Sequence, residues 1–404
     1  MKLFTFFVTT LVLLTACCED GMEIPHYPIP ANADRTVLIY MASENDLSDA
    51  FSQPDISEMK RGSKSIGKNN NLIVYVDEAK SNTTPYLLRL VQGTTADSII
   101  FKNESLTSDP NTLRNILLKV ISRYPAKEYA LCLWGHADGW IIEEDSVEYG
   151  LDDVVPRSAY GRDTGNNSTS SNGKWMNIPT MARVFNDLPV KLKYIFCDCC
   201  NMMCAEVAYE LRNATEYLIG SPAEIPGAGA PYQTIVPAMM EKVGFAEAIV
   251  DNYFNYYEYR GRGVPLSVVK MGEEEMTQLA EVTKEVLYNT FHGKTGYPET
   301  TGLIYYLNRN MYDMNDIMLR YASSDDYARW KAAVEKVVVH KKMATRWMTN
   351  GWINFNDFTV TEERYGGISM FIPQQPGNNS YAQYNQDIKK MAWYYAAGYA
   401  DIGW

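Results

Sequence analysis

The chain has 404 residues, 46% of them hydrophobic, and a formal net charge of −12 at pH 7. A chain of this length and composition can bury one large core or two of ordinary size. The acidic balance argues against a nucleic-acid partner, because nucleic acids select basic surfaces. After the N-terminal segment, no apolar run reaches the length needed to cross a bilayer.

Residues 1–17 have the features of an export signal, with Lys2 followed by an apolar stretch over residues 3–14. The sequence Leu14-Thr15-Ala16-Cys17 is similar to a bacterial lipobox, in which the cysteine becomes the lipid-modified N-terminus. We therefore expect Cys17 to be lipidated and residues 18–34 to be a flexible tether. The expected location is the cell envelope, as a membrane-anchored outer-membrane lipoprotein facing the periplasm or the outside. An ordinary secretory signal cut near Ala16 is the alternative.

The rest of the chain alternates between segments typical of strands and of helices. Apolar or alternating runs predict strands at residues 36–41, 72–76, 86–91, 129–135, 194–198, 217–220, 266–269 and 368–372. Apolar residues at helical spacing predict helices at residues 112–124, 201–212, 244–259, 273–291 and 382–398. This alternation predicts an α/β fold with a mainly parallel sheet flanked by helices on both faces.

Two of these strands end in reactive side chains. The strand at residues 129–135 leads into His136, and the strand at residues 194–198 leads into Cys199 and Cys200. If the two strands are parallel neighbours, the imidazole and a thiol meet at the carboxyl edge of the sheet, where α/β folds place their sites. A cysteine beside a histidine is an activated nucleophile, because the imidazole takes the thiol proton.

Two of the seven cysteines, Cys17 and Cys18, lie at the lipobox, and four of the other five are close together, at Cys197, Cys199, Cys200 and Cys204. Disulfide-stabilised exported proteins usually spread their cysteines along the chain. The spacing also lacks the paired C-x2-C of structural zinc sites. Three interpretations stay open: a thiol nucleophile with buried neighbours, which we favour, a metal site, and a disulfide within the cluster. In the first, Cys132 and Cys197 are core residues.

The segment between the His strand and the Cys strand, residues 143–176, is a long polar loop. It contains Arg157, Arg162 and Lys174, any of which a basic-specific protease could cut. A loop of this length inside a compact domain is usually functional or disordered.

The motifs around the two reactive residues resemble those of a known family. His136-Ala137-Asp138-Gly139-Trp140 follows the first strand, and Asp198-Cys199-Cys200 precedes Glu206-Val207-Ala208-Tyr209-Glu210-Leu211. Both resemble the clostripain-like cysteine peptidases (family C11), relatives of caspases and gingipains. Residues 40–47, 224–227 and 365–373 add to the resemblance. Ala137 departs from it, because the usual residue is a glycine, which adopts positive φ without cost.

The resemblance implies a caspase-like peptidase domain over residues 35–404, with a catalytic core at about 35–272 and residues 273–404 completing the fold. By the Asp-x-Cys register, Cys200 would be the nucleophile and His136 the general acid/base. A one-residue slip would make Cys199 the nucleophile instead. We expect the N-terminus of the following helix and a protonated His136 to lower the pKa of the Cys200 thiol.

The resemblance also implies a specificity and an activation step. Asp198 would form a wall of the S1 pocket and select substrates for cleavage after Arg, and less strongly after Lys; a structural carboxylate is the alternative. The substrates would be proteins or peptides with basic residues. The chain would be a zymogen that cuts itself at Arg157, Arg162 or Lys174.

No cofactor is implied as a requirement. Calcium dependence occurs among clostripain relatives, but Asp152-Asp153 does not form a calcium-loop pattern, so calcium rests on family analogy alone. We expect a monomer. Two other functions stay open: a catalytically inactive surface lipoprotein that uses the fold for binding, and a metal-binding module built on the cysteine cluster.

Overall fold

The computed structural model describes residues 27–80, 83–142, 160–165, 173–307, 310–350, 354–375 and 379–404. The predicted signal, the lipidation site Cys17, and Arg157 lie outside these residues. In the part of the chain that is described, no helix has both the length and the apolar character needed to span a membrane.

The strands form one large sheet and three small antiparallel pairs. They are β1 Ala33–Ser43, β2 Asn70–Glu78, β3 Tyr86–Val91, β4 Thr94–Ile100, β5 Ala126–Trp134, β6 Tyr160–Asp163, β7 Lys174–Met176, β8 Tyr194–Asp198, β9 Tyr217–Gly220, β10 Leu266–Lys270, β11 Met311–Asp313, β12 Val338–Lys342, β13 Met348–Asn350, β14 Asn354–Phe355 and β15 Ser369–Phe371. The large sheet has nine strands in the order β12-β10-β9-β8-β5-β1-β2-β3-β4. Its central strands, β2, β1, β5, β8 and β9, are parallel, and the pairs at both edges are antiparallel.

Helices cover both faces of the sheet and bury two apolar clusters, one on each side. They are α1 Gln53–Gly62, α2 Pro110–Arg123, α3 Ile178–Asn186, α4 Ala205–Leu211, α5 Tyr232–Met239, α6 Phe245–Glu258, α7 Glu273–Phe291, α8 Met314–Tyr321, α9 Ser324–Val337, α10 Asn379–Asp387 and α11 Ala392–Ala396. The central strands are apolar on both sides because both faces are covered. The predicted fold class, a mainly parallel sheet flanked by helices, is confirmed.

Several elements differ from the sequence prediction. The strand predicted at residues 368–372 forms β15, but it pairs with β11 and not with the large sheet. The helix predicted at residues 382–398 is broken into α10 and α11 by a 3₁₀ turn at Ile388–Lys390, after which Met391 is extended. The edge strand β12 was not predicted, since its sequence, Val-Val-His-Lys-Lys, is only partly apolar and partly buried.

The C-terminal segment is attached to the helix that follows Cys200. The backbone N–H of Phe371 donates to Glu206 Oε1 at 2.8 Å, and the N–H of Ala392 donates to Glu210 Oε1 at 2.7 Å. Glu206 is fully buried, and burial raises its pKa to about 7. The two glutamates of the sequence motif therefore hold the C-terminal strand and α11 against α4.

Candidate active site

The register of β5 and β8 brings the two reactive turns together. The strands are parallel neighbours, and Trp134 lies opposite Asp198. His136 and Cys200 each follow two residues later, at the carboxyl edge of the sheet. Leu47, Trp134, Gly135, His136, Asp198, Cys200, Glu224, Ile225, Pro226, Gly227 and Gly229 line one cavity there. The sequence prediction that His136, Asp198 and Cys200 share one site is consistent with this placement.

The cavity between these residues is small. Its volume is about 50 Å³, which is enough for a few water molecules. The segment at residues 224–229 forms one of its walls.

Cys200 is the partly exposed member of the cysteine cluster, while Cys132, Cys197, Cys199 and Cys204 are buried. The N–H of Ile225 donates to Cys200 Sγ at 3.4 Å. The described cysteines are all free thiols, and the group of potential metal ligands found among the described residues contains no cysteine. This placement favours Cys200 over Cys199 as the nucleophile.

The environment of Cys200 differs from expectation in two respects. The helix predicted to begin at Asn201 begins at Ala205, so Cys200 does not lie at the N-terminus of α4. Burial raises the pKa of the Cys200 thiol well above its ordinary range, and nearby carboxylates add to this effect, while the N–H of Ile225 opposes it. The predicted lowering of the thiol pKa is therefore wrong for this conformation, in which the thiol keeps its proton.

His136 is paired with an acid. Its Nε2 lies 2.9 Å from Asp46 Oδ1, and Arg162 forms an ion pair with the same oxygen. The hydrogen bond from His136, together with the positive charge of Arg162, lowers the pKa of Asp46 to about 2. Asp46 is therefore ionised at neutral pH, and Nε2 of His136 is the nitrogen that carries the proton and donates.

Asp198 is buried beside the cavity and is held by three donors. The N–H of Ala230 and the hydroxyl of Tyr232 donate to Oδ2 at 3.0 and 2.7 Å, and the hydroxyl of Tyr253 donates to Oδ1 at 3.1 Å. Burial raises the pKa of Asp198, and the three hydrogen bonds oppose that shift. Gly229 has φ +55, and a Cβ there would lie 2.7 Å from Asp198 Oδ2, so only glycine lets the loop pass this close.

A second carboxyl group lies near Asp198. Asp55 accepts a hydrogen bond from Trp134 Nε1 at 2.8 Å. Burial, reinforced by the negative charge of Asp198, raises the pKa of Asp55 to about 8. Asp55 therefore carries its proton at neutral pH.

The turn after His136 tolerates the alanine that departs from the family pattern. Among the described residues other than glycine, positive φ occurs only at Gln92 and Asn201, so Ala137 is not strained. Asn201 has φ 60 directly after Cys200, a conformation that asparagine adopts more easily than most residues. A Cβ at Gly139 would lie 2.6 Å from the carbonyl oxygen of Asn201, so glycine lets the His turn contact the Cys turn.

The basic residues of the predicted cleavage loop have different surroundings. Arg162 lies in β6, where its carbonyl oxygen accepts from Asn45 Nδ2 at 2.7 Å and its guanidinium pairs with Asp46. Lys174 lies in β7, opposite Asp163, and is exposed. Arg157 is outside the described residues.

Sequence reasoning did not identify Asp46, Asp55, Tyr232 and Tyr253 as site residues. The position of Asp46 could have been predicted, because it ends a polar turn at the carboxyl end of β1, and β1 pairs with the strand that leads to His136. The two tyrosines come from α5 and α6, far along the chain, and no local pattern marks them.

Comparison with known proteins identifies the family. The sequence profile of the clostripain family (peptidase C11) matches residues 39–404. The chain therefore belongs to the clostripain family. A secreted C11 cysteine protease from Bacteroides thetaiotaomicron, solved with an irreversible peptide inhibitor, is 27% identical with a TM-score of 0.73, covering 91% of this chain and 100% of its own. No curated protein matches significantly.

A second member of the clostripain family has a similar overall structure. The inactive zymogen C11 protease from Parabacteroides distasonis is 27% identical with a TM-score of 0.72, and the match covers 92% of this chain and 99% of that chain. A Bacteroides fragilis cysteine protease is 33% identical over 59% of this chain and 99% of its own, with a TM-score of 0.51. Family membership and these structures support a cysteine peptidase that acts on peptide or protein substrates.

Proposed function

We propose that this protein is a cysteine endopeptidase that cleaves after basic residues, Arg more strongly than Lys, through a dyad of Cys200 and His136. The observation that carries the proposal is the placement of both residues, with Asp198, around one cavity at the carboxyl ends of two paired parallel strands. A thiol and an imidazole at such an edge suit nucleophilic attack on a peptide carbonyl.

In the proposed mechanism, Cys200 is the nucleophile and His136 transfers the protons. His136 takes the proton of Cys200, the thiolate attacks the carbonyl carbon, and the protonated imidazole then delivers its proton to the leaving amine. Since Nε2 of His136 faces the ionised Asp46, Nδ1 is the nitrogen that would accept and deliver the proton. Asp46 would act as a positioning residue that holds the ring. Backbone N–H groups near the two turns would stabilise the oxyanion.

Asp198 would provide the specificity. A carboxylate at the wall of the pocket would bind the guanidinium of a substrate arginine, which forms two parallel hydrogen bonds with such a group. Asp198 already accepts three hydrogen bonds, which keep the buried carboxylate stable when the pocket is empty. The wall at residues 224–229 would have to open for the substrate to reach it.

The small cavity and the protonated thiol support a zymogen form, which self-cleavage in residues 143–176 would activate. A small cavity leaves little room for a substrate side chain, and a protonated thiol is not the nucleophile, because the thiolate is the reactive form. The related Parabacteroides distasonis structure is described as an inactive zymogen. We propose the same state here, in an envelope lipoprotein anchored through Cys17 and acting as a monomer.

The deciding experiment is hydrolysis of fluorogenic peptides that end in Arg, Lys, Ala or Asp. We expect the wild type, reduced and incubated to allow self-cleavage, to turn over the Arg peptide fastest. The Cys200→Ala variant should lose at least about 1,000-fold in activity, because removal of a covalent nucleophile removes the main reaction path.

Cys199→Ala is the matched control, because Cys199 is the neighbouring thiol but is buried away from the cavity. It should keep activity on the Arg peptide. Turnover that survives in Cys200→Ala and disappears in Cys199→Ala would assign the nucleophile to Cys199. An inactive wild type, even after trypsin treatment, would favour the binding-protein alternative.

A further inference from the structure

A second cavity, of about 390 Å³, borders the wall of the candidate active site. Its lining consists of Pro226, Arg260, Gly261, Arg262, Gly263, Arg346, Met348 and Phe355. Pro226 also lines the cavity that contains Cys200 and His136, so the two cavities share this residue of the wall. All the charged residues in the lining are arginines, in a protein whose net charge is −12. We call this second cavity the arginine pocket.

Two segments that are distant in sequence form the arginine pocket. The turn at residues 260–263 follows α6, and the N–H of Arg262 donates to the carbonyl of Tyr257 at 2.9 Å. A Cβ at Gly263 would lie 2.4 Å from the carbonyl oxygen of Arg346. Glycine therefore lets the segment that leads into β13 contact the turn, and this contact brings the arginines of both segments into one cavity.

The described part of the chain does not neutralise these arginines. None of the three forms an ion pair with an acid among the described residues, whereas Arg364, elsewhere, lies 2.6 Å from a carboxylate oxygen. The guanidinium carbon of Arg260 lies 3.6 Å from the ring centre of Tyr256, and that of Arg346 lies 3.9 Å from the ring centre of Phe355. Stacking on an aromatic face orients a guanidinium and leaves N–H groups at its edge available to an anion.

Helix α6 connects the arginine pocket with the proposed specificity residue. The hydroxyl of Tyr253 donates to Asp198, and the hydroxyl of Tyr257 donates to the carbonyl of Gly229 in the wall at 2.7 Å. At a rise of 1.5 Å per residue, the turn at residue 260 lies about 10 Å further along the helix axis than Tyr253. An extended peptide of about three residues covers the same length. A substrate bound at Asp198 can therefore reach the arginine pocket with a residue a few positions away.

We propose that the arginine pocket is a subsite for acidic side chains of the substrate, a few residues before the cleaved bond. This inference rests on the peptidase function proposed above. A guanidinium binds a carboxylate through two parallel hydrogen bonds, so arginine suits this ligand better than lysine does. The negative net charge of the whole protein repels acidic peptides, so a preference for them requires a local positive site.

The sequence before one proposed self-cleavage residue has the matching pattern. Asp152 and Asp153 lie five and four residues before Arg157, and the residues between them and Arg157, 154–156, are uncharged. The subsite would therefore favour the chain's own sequence as a substrate.

The test compares two fluorogenic peptides as substrates of the self-cleaved protein. One has the sequence of residues 151–157, and the other has asparagine in place of Asp152 and Asp153. We expect kcat/KM to be at least about fivefold higher for the acidic peptide, mainly through a lower KM, because two ion pairs at exposed arginines contribute modestly to binding.

Variants of the exposed Arg262 and Arg346 assign this preference to the pocket. The double variant Arg262→Gln/Arg346→Gln should bring the ratio of the two kcat/KM values close to one. Arg262→Lys/Arg346→Lys should retain part of the preference, because the charge remains but the paired hydrogen bonds are lost. Arg329→Gln is the matched control, because it removes the same charge from an exposed arginine of α9, and it should keep the wild-type ratio. A preference that survives the double glutamine variant would overturn the proposal.

Binding to Cys200→Ala separates the subsite from the peptidase proposal, because it requires no turnover. Fluorescence anisotropy of labelled peptides should show tighter binding of the acidic peptide, and the glutamine substitutions should remove the difference. Equal binding of the two peptides, or equal kcat/KM in an active enzyme, would overturn the subsite and leave the peptidase proposal intact wherever turnover is seen. Tighter binding of the acidic peptide by a protein that cuts neither peptide would support the pocket as an acid-binding site and overturn the peptidase proposal.

Discussion

Asp198 is the side chain that would decide which peptide bonds are cut. It is 2% exposed and accepts hydrogen bonds from Ala230, Tyr232 and Tyr253. Three donors on a buried carboxylate are an arrangement that stabilises the charged form. The sequence motif identified this residue, but the two tyrosines that hold it come from helices that no local pattern connects to the site.

We expect Asp198→Asn to reduce the preference for arginine over citrulline, its uncharged isostere, at the cleaved position by about 10- to 100-fold, since a hydrogen bond to a charged group contributes about 1.5–3 kcal/mol. The measurement is kcat/KM for two peptides that differ only in this residue. Tyr253→Phe, which removes one donor and keeps the charge, should retain most of the preference. If Asp198→Asn lowered kcat/KM equally for both peptides, Asp198 would have a structural role and no role in specificity.

At the scale of elements, the strands β6 and β7 would limit where the proposed self-cleavage could occur. Arg162 and Lys174 lie in these paired strands, and proteases cut segments that have opened from such pairing. Arg157 is not among the residues that the structure describes. Of the three candidates, we therefore propose Arg157 as the first to test.

We expect purified wild-type protein to convert to two fragments on incubation, with the N-terminal fragment ending at Arg157 by intact mass. Arg157→Ala should slow this conversion at least about tenfold, because the preferred basic residue is missing. Lys174→Ala is the matched control and should be cut at the wild-type rate, while Cys200→Ala should stay intact. Fragments ending at Arg162 or Lys174 would refute the choice of Arg157.

The elements differ in how well they could be predicted from the sequence. The central strands were predictable because strands buried on both faces are almost continuously apolar, as in β1 and β2. Short elements fixed by tertiary contacts were not: α4 begins only at Ala205 because Asn201 has a left-handed conformation and Cys204 is extended and forms a bridge with Ser369. The His and Cys turns could be predicted, but the cavity size and the thiol pKa depend on the packing of residues 224–229, which no local pattern encodes.

At the scale of the whole molecule, the proposed anchor is the lipid on Cys17. The net charge of −12 gives the protein no electrostatic attraction to anionic membranes, so membrane attachment would depend on the proposed lipid at Cys17. The tether would then hold the peptidase domain close to the membrane surface.

We expect the expressed protein to partition into the detergent phase, because buried acyl chains contribute about 0.8 kcal/mol per methylene. Cys17→Ser should move to the aqueous phase, and Cys18→Ser should remain with the detergent. Mass spectrometry of the mature N-terminus checks the assignment directly. An unmodified residue following Ala16 would replace the lipoprotein proposal with an ordinary secretory signal.

The order of strands in the sheet determines what the proposed self-cleavage would produce. In β12-β10-β9-β8-β5-β1-β2-β3-β4, every strand on one side of the β8–β5 boundary follows residue 176, and every strand on the other side precedes residue 143. A single cut between residues 143 and 176 would leave two chains. Each chain would form one contiguous half of the sheet, with His136 on one chain and Cys200 on the other. The mature enzyme would then be a heterodimer whose catalytic centre lies at the boundary between β5 and β8. Neither chain could be active alone.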